Sequence, residues 1–358
     1  MKTGLIITGE LSGEISVLEV VRNLKKRGIR LCGTGSELLR NEGVEIIEEI
    51  KNITLTGLDI LGKIKRLRKL MKEILLKIKK GEADFLLLVD YPGFNLAAGK
   101  KAKNFEIPIF YYIPPKVWAW MERRAKTVSR FSTLVFTIFP FEAPYFEKYG
   151  GKVIYAGNPV LWRVKNFLKS KRFEESDRIL FMPGSRTDEV RRHLPPMLEA
   201  ISVLKSKIFG IKCHFLLAKT VDKNLFPPDV EVVEGNPLEE ISKSKIVVAK
   251  SGTGALEAFL LKKPTVVIYR TSFLTYSVAK SLIKVNYLSI PNIIFGKEIV
   301  PELIQKRCNG KELAREVLKI IENPWNGWKN YSDELFKILD TPIPPEEVVS
   351  KKILEWIG

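Results

Sequence analysis

The sequence predicts an α/β protein built from two doubly wound, Rossmann-like domains. Three observations carry the prediction. Short apolar runs alternate with helix-like stretches along most of the chain. Two glycine-and-hydroxyl loops, Met182-Pro-Gly-Ser-Arg186 and Lys250-Ser-Gly-Thr-Gly-Ala-Leu-Glu257, each follow such a run and each lead into a helix-like segment. Finally, 358 residues exceed what one ordinary sheet domain needs and suit two.

In chain order, strands are expected at 5–8, 84–90, 107–112, 133–138 and 153–156, then at 178–181, 212–218, 246–249 and 265–268. The break falls between Gly157 and Ser176, where a fresh strand and helix series begins. This gives a first domain over 1–160 and a second over 161–329, with terminal helices at 330–358 crossing back onto the first. Two such domains are expected to face a cleft lined by strand carboxyl ends, where open α/β sheets bind ligands.

Composition narrows the classes. Hydrophobic residues make up 45% of the chain, enough for two cores. The three cysteines, Cys32, Cys213 and Cys308, are far apart and there are two histidines, so neither a disulfide framework nor a structural zinc site is expected. The opening residues read as a strand rather than a secretory signal, and no run is long enough to span a membrane, which points to the cytoplasm. Lys and Arg number 59 against 41 Asp and Glu, a formal charge of +18, so an anionic partner is expected: a nucleotide, a nucleic acid or an acidic lipid surface. The alternative reading of part of that excess is a lysine-rich background, as in some heat-adapted proteins.

Small residues expose backbone N–H groups, and the following helix adds its positive dipole end, so both loops read as cradles for a diphosphate. Gly184 and Ser185 supply backbone, and Arg186 adds a bidentate cation. The plainer reading is two ordinary turns. Gly9-Glu-Leu-Ser-Gly-Glu14 follows the opening strand but lacks the GxGxxG spacing. A carboxylate at Glu10 would repel a pyrophosphate and suits a hydroxyl-rich acceptor; alternatively Ser12 caps a helix and Glu10 is solvated. Asp90 ends a buried strand before Tyr91-Pro-Gly93, a rigid place for a base that takes a proton from an alcohol, or simply a turn-forming aspartate. Trp118 and Trp120 could wall a sugar or acyl site, although core packing is their commoner use.

From Lys63 to Lys80 one helical face carries Ile64, Leu67, Met71, Ile74, Leu75 and Ile78, and the rest is strongly basic, with Arg68 on it. Such a helix can lie on an anionic bilayer or pack as a plain surface helix. Leu55, Leu58, Ile60 and Leu61 add apolar residues just before it, where a turn is expected; apolar surface beside basic charge favours membrane over nucleic acid. Gly57 to Lys63 matches GxxxxGK, but Ile64 occupies the position that binds magnesium. No Asp-x-Asp occurs, so a metal-dependent route to a nucleotide sugar is disfavoured; loop N–H groups, a helix dipole and Arg186 are left to meet the departing charge.

The stretches Gly9-Glu-Leu-Ser-Gly-Glu14, Val89-Asp-Tyr-Pro-Gly-Phe-Asn95, Val117-Trp-Ala-Trp120, Phe139-Pro-Phe-Glu142, Pro183-Gly-Ser-Arg-Thr-Asp-Glu-Val190, Ser251-Gly-Thr-Gly-Ala-Leu-Glu257, Pro291-Asn-Ile-Ile294 and Glu302-Leu-Ile-Gln305 occur in an order and spacing that resembles the lipid-A-disaccharide synthase family over nearly the whole chain. The resemblance implies a two-domain glycosyltransferase of the B type (GT-B) that is inverting and metal-independent and uses no cofactor. Its donor would be UDP-2,3-diacylglucosamine, its acceptor 2,3-diacylglucosamine 1-phosphate, and its products lipid A disaccharide 1-phosphate and UDP.

By position, the resemblance implies Asp90 as the base and Glu10 as an acid near the acceptor. It puts Arg186, Ser251, Gly252, Thr253 and Glu257 on the nucleotide side, with Glu257 toward the ribose, and Asn292 and Gln305 facing the donor. The surface from Leu55 to Met71 would meet the inner face of the cytoplasmic membrane; no nucleic acid is implied, and an oligomer is left open. Two positions depart from the family pattern: Gly93 stands where many members have a second acid, and Asn158 replaces a usual histidine. The rival readings are another UDP-sugar enzyme, such as a UDP-N-acetylglucosamine epimerase, and a basic RNA-binding protein.

Overall fold

A computed structural model of the chain describes residues 1–53, 60–170, 176–272, 276–277, 280, 283–323 and 327–358, with backbone alone at 60 and 61. The chain divides into two compact units, Met1–Pro159 with Thr341–Gly358, and Val160–Asp340.

The first unit holds β1 (Thr3–Ile7), β2 (Arg30–Gly35), β3 (Glu45–Glu49), β4 (Phe85–Val89), β5 (Ile109–Tyr112), β6 (Leu134–Thr137) and β7 (Val153–Tyr155). They form one parallel sheet in the order β3-β2-β1-β4-β5-β6-β7. β4 shows why its residues must be a central strand. Leu86 and Leu88 enter one core layer with Leu70, Met71, Ile74 and Ile78 of the helix Ile60–Lys79. Phe85, Leu87 and Val89 enter the other, with Val17 and Val21 of the helix Leu11–Lys26 and with Val349 and Ile353 of the helix Pro345–Ile357. Both faces are covered, so the run is apolar without alternation; each such side chain is worth roughly 1.5–3 kcal/mol of burial.

The second unit holds β8 (Arg178–Met182), β9 (Lys212–Leu216), β10 (Glu231–Val233), β11 (Ile246–Lys250), β12 (Thr265–Tyr269) and β13 (Glu302–Ile304), parallel in the order β10-β9-β8-β11-β12-β13. Phe181, Phe215, Val248 and Ile268 meet Met197, Leu204, Leu313 and Val317 from the helices Thr187–Lys207 and Gly310–Glu322 in its core.

Residues 330–340 belong to this second unit, and the return to the first begins at Thr341. The reason is local: Trp328 and Leu335 of the helix Gly327–Leu339 are buried, and Ser332 Oγ donates to the Phe259 carbonyl at 2.7 Å.

Candidate functional site

The strand order of the first sheet reverses between β1 and β4, and that of the second between β8 and β11. Such a switch point leaves a crevice at the strand carboxyl ends. Asp90 directly follows β4, and Glu10 follows β1 by three residues, at the start of the helix Leu11–Lys26.

The chain after β4 is unusual. Asp90 and Tyr91 are both left-handed, with φ of 47° each, and Ile113 after β5 has φ 57°. A β-branched residue in that region is a true outlier, and such strain persists only where surrounding contacts fix it. The contacts are present: the Asp90 carbonyl accepts from Asn95 Nδ2 at 2.8 Å and Tyr111 Oη at 2.9 Å, and its N–H donates to Tyr112 at 3.0 Å. Asn95 is wholly buried and its Nδ2 also lies 3.3 Å from the carbonyls of Ile7 and Val89, tying the ends of β1 and β4 together. Tyr91 lies over Gly9, where a Cβ would stand 2.3 Å from the ring. Burial and the nearby Glu10 charge push the Tyr91 hydroxyl up to about 12. Asp90 is thus a carboxylate held on rigid backbone, with Glu10 near the same aromatic ring.

The Trp118 and Glu142 stretches prove to be one structure. Glu142 is buried; its Oε1 accepts from Trp118 Nε1 at 2.9 Å, and its Oε2 from the backbone of Ile138 and Phe139 at 3.1 Å each. Trp118 is therefore core, whereas Trp120 is 38% exposed, with the Arg124 guanidinium 4.8 Å over its ring. Asn158 is buried and donates to the Ile138 carbonyl at 3.1 Å. Gly93 opens onto free space, where a Cβ would touch nothing.

In the second unit, Gly184 and Gly252 take φ of 132° and 151°, conformations that exclude a side chain. Arg186 caps the start of the helix Thr187–Lys207, and Gly252 caps the helix Thr253–Leu260. Glu189 ties these loops together. Its Oε2 accepts from the Ser185 N–H at 3.3 Å, and its Oε1 meets Lys250 Nζ at 3.0 Å and Arg186 Nη1 at 3.3 Å. Burial alone would raise the Glu189 carboxyl, but Lys250 and Arg186 outweigh it and hold it below the usual value. Ser251 Oγ lies 3.4 Å from the Leu288 carbonyl, and Thr253 is exposed at the helix start. Glu257 is buried and pairs with Arg163 at 2.6 Å; burial raises its carboxyl and Arg163 only partly offsets this.

Two residues expected to face the donor have their amides engaged within the fold. Asn292, expected to face the donor, is buried with its amide consumed internally: Nδ2 donates to Val300 and Glu302 at 2.8 Å each, and Oδ1 accepts from Ile299 at 2.7 Å and Val300 at 3.0 Å. It shapes the segment that Glu302 also holds by accepting from Leu288 N, Ser289 N and Ser289 Oγ. Gln305, likewise expected at the donor, spends its amide on Thr271, accepting from its N–H at 2.8 Å and donating to its carbonyl at 3.2 Å.

Of the residues expected at a membrane, Leu55 and Leu58 lie outside the described residues, as do the side chains of Ile60 and Leu61. Leu67 packs against the core and so turns inward, Ile64 is 37% exposed, and Arg68 is exposed. Among the described residues no helix is long and apolar enough to cross a membrane, and no three His, Cys, Asp or Glu side chains are grouped to hold a metal ion.

Sequence reasoning gave no role to Asn95, Glu189, Lys250 or His193. Glu189 and Lys250 had a signal, since a carboxylate one turn into a helix and a lysine at a strand end both flank a glycine loop. For Asn95 the signal was its place one turn after the Tyr-Pro-Gly bend.

Against this geometry, a family model described as lipid-A-disaccharide synthetase matches residues 5–341. The chain belongs to the lipid-A-disaccharide synthase family. Curated relatives of that name include those of Syntrophus aciditrophicus, 33% identical over 341 residues (90% of this chain and 89% of the other), and Myxococcus xanthus, 32% identical over 333 residues (88% and 87%). Lipid-A-disaccharide synthases are glycosyltransferases of lipid A biosynthesis, and this chain is an enzyme of that family. Among solved structures, the chain is similar to the UDP-GlcNAc 2-epimerase of Neisseria meningitidis bound to UDP-GlcNAc, at TM-score 0.64 and 17% identity over 100% of this chain and 99% of that one. It is also similar to a spinosyn rhamnosyltransferase, at TM-score 0.61 and 12% identity over 99% and 100%. Both likenesses concern the fold, which is the one shared by B-type glycosyltransferases and these epimerases.

Proposed function

We propose that this lipid-A-disaccharide synthase joins UDP-2,3-diacylglucosamine to 2,3-diacylglucosamine 1-phosphate, giving lipid A disaccharide 1-phosphate and UDP, with inversion and without a metal ion or cofactor. The observation that carries the reading is the division of chemistry between two switch points: a fixed carboxylate, Asp90, at one, and glycine loops with Arg186 and Lys250 at the other.

In the proposed reaction the Asp90 carboxylate takes the proton of the acceptor 6-hydroxyl. The freed oxygen pair forms the new bond to the donor anomeric carbon, on the face opposite UDP, through an oxocarbenium-like state. The bond from that carbon to the diphosphate oxygen breaks, and its electrons leave with UDP. The proton on Asp90 then returns to solvent. Loop N–H groups, Arg186 and Lys250 meet the leaving charge, and Glu257, which the family resemblance puts toward the ribose, receives the ribose hydroxyls. The absence of an Asp-x-Asp from the sequence supports a metal-independent route.

Lipid substrates also call for a surface to approach. The exposed Ile64, Lys65, Arg66, Arg68, Lys69 and Lys72 of the helix Ile60–Lys79 suit an anionic bilayer, and we assign the chain to the inner face of the cytoplasmic membrane.

The test is incubation with both lipid substrates in chelator, followed by mass analysis and anomeric NMR. A disaccharide 1-phosphate with inverted configuration is expected; no product, or product only with added divalent metal, overturns the corresponding part. Sedimentation with phosphatidylglycerol vesicles should carry the protein down at low salt, and its staying in the supernatant removes the membrane assignment.

A further inference from the structure

His193 lies on the buried face of the helix Thr187–Lys207, just before Pro195-Pro196. Its Nδ1 is 2.7 Å from the Pro183 carbonyl oxygen, and its Nε2 is 2.9 Å from the backbone nitrogen of Arg270. A carbonyl accepts and a backbone N–H donates, so one neutral tautomer satisfies both: Nδ1 carries the proton and Nε2 accepts. The ring therefore pins the first residue of the loop after β8 to the chain leaving β12. Neighbouring contacts finish both ends of this clamp. Gln305 grips Thr271, the residue after Arg270, and Thr220 Oγ1 donates to the Ser185 carbonyl at 2.5 Å.

We propose that His193 is the positioning residue of the diphosphate cradle, its neutral ring presetting the loop Pro183–Arg186 so that UDP meets ordered backbone. It touches no substrate. The inference rests on the donor half of the proposed function. A loop ordered before the ligand arrives loses little conformational freedom on binding, so the clamp acts on affinity. Protonation would aim a second N–H at the Arg270 N–H and release that end. Burial holds the imidazole below its ordinary value; Lys250 and Arg192 act in the same direction, the Pro183 carbonyl and Glu189 oppose them, and the Tyr269 ring stands 6.3 Å away.

The experiment measures UDP affinity by calorimetry for the full chain, His193→Ala and His193→Gln from pH 5 to 8, with thermal melts of each. His193→Ala is expected to bind UDP about tenfold more weakly at pH 8, the size of one lost ordering bond. His193→Gln, which keeps an amide donor and acceptor, should recover most of it. Because protonation opens the Arg270 end, the wild type should lose affinity relative to His193→Gln toward the acid end of the range; the ratio cancels the titration of the nucleotide itself. Affinity in a folded His193→Ala within twofold of wild type at every pH overturns the inference. Should that variant fail to fold, His193→Leu, which keeps the bulk and removes both bonds, takes its place, and UDP affinity within twofold of wild type overturns the inference instead. A wild type that binds no UDP overturns the donor reading itself.

Discussion

The two switch points solve opposite problems with the same sheet architecture. At the ends of β4 and β5, residues with side chains, Asp90, Tyr91 and Ile113, carry the left-handed backbone. Each such position costs of order 1–3 kcal/mol, offset by buried partners such as Asn95 and Tyr111. At the ends of β8 and β11, glycines 184 and 252 take the positive φ at no steric cost, and the charged side chains around them pair with one another through Glu189. On the proposed reading, rigid and strained support holds a proton acceptor in one place, and small residues beside cations let backbone approach a diphosphate closely.

The largest expected effect breaks the first side of that contrast alone. Asn tolerates left-handed backbone almost as well as Asp, so Asp90→Asn removes the charge and leaves the turn. Turnover should fall by about 10²- to 10⁴-fold. UDP affinity, measured by calorimetry, should stay within twofold. Near-normal turnover would take Asp90 out of the proposed role.

A smaller effect probes the buried carboxylate of the first unit, Glu142. Burial raises the Glu142 carboxyl to about 7 from 4.5, against the opposing bonds from Trp118, Phe139 and Ile138. With the folded value raised, the folded chain binds the extra proton between those two pH values. The contribution of Glu142 is therefore full below pH 4.5 and is lost as pH rises through 7, by about 3 kcal/mol at most. Urea midpoints of wild type should thus drop relative to Glu142→Gln between pH 4.5 and 7.5. Parallel curves for the two proteins would show that Glu142 is ionised throughout.

The same contrast explains what could be read in the sequence. Central strands such as β4, β8 and β11 were legible because both faces are buried and the runs are continuously apolar. β2 was hidden by its two glycines, at one of which, Gly33, a Cβ would lie 1.8 Å from the Ile6 carbonyl oxygen. β3 was hidden by its glutamates, and β10 and β13 by being three residues long at the sheet edges. Of the candidate residues, Asp90 and Arg186 were visible as types at strand ends. At Asn292 and Gln305, an amide facing a ligand and an amide tying two backbone segments look alike in sequence. Only hydrogen-bond partners distant along the chain, Val300 and Thr271, separate the two uses. The helix Ile60–Lys79 posed the same ambiguity, and Leu67, Met71 and Ile74 resolve it toward the core for most of its apolar face.

The smallest expected effect probes the second side. Arg186 is 44% exposed on its side chain and its pairing with Glu189 is long, at 3.3 Å. Its loss should cost the fold little, because exposed ion pairs are worth under about 1 kcal/mol. Toward a diphosphate the same guanidinium donates in a fixed fork, and a hydrogen bond to a charged group is worth about 1.5–3 kcal/mol. Partial exposure places Arg186→Ala near the low end, so UDP should bind about tenfold more weakly with the melting temperature nearly unchanged. Lys250 remains beside Glu189 in that variant, so residual binding should still weaken as salt is raised. The contrast with Asp90→Asn is the decisive feature. One variant should lose turnover at constant UDP affinity and the other should lose affinity first. Unchanged UDP affinity in Arg186→Ala would put the cationic side of the comparison elsewhere in the second unit.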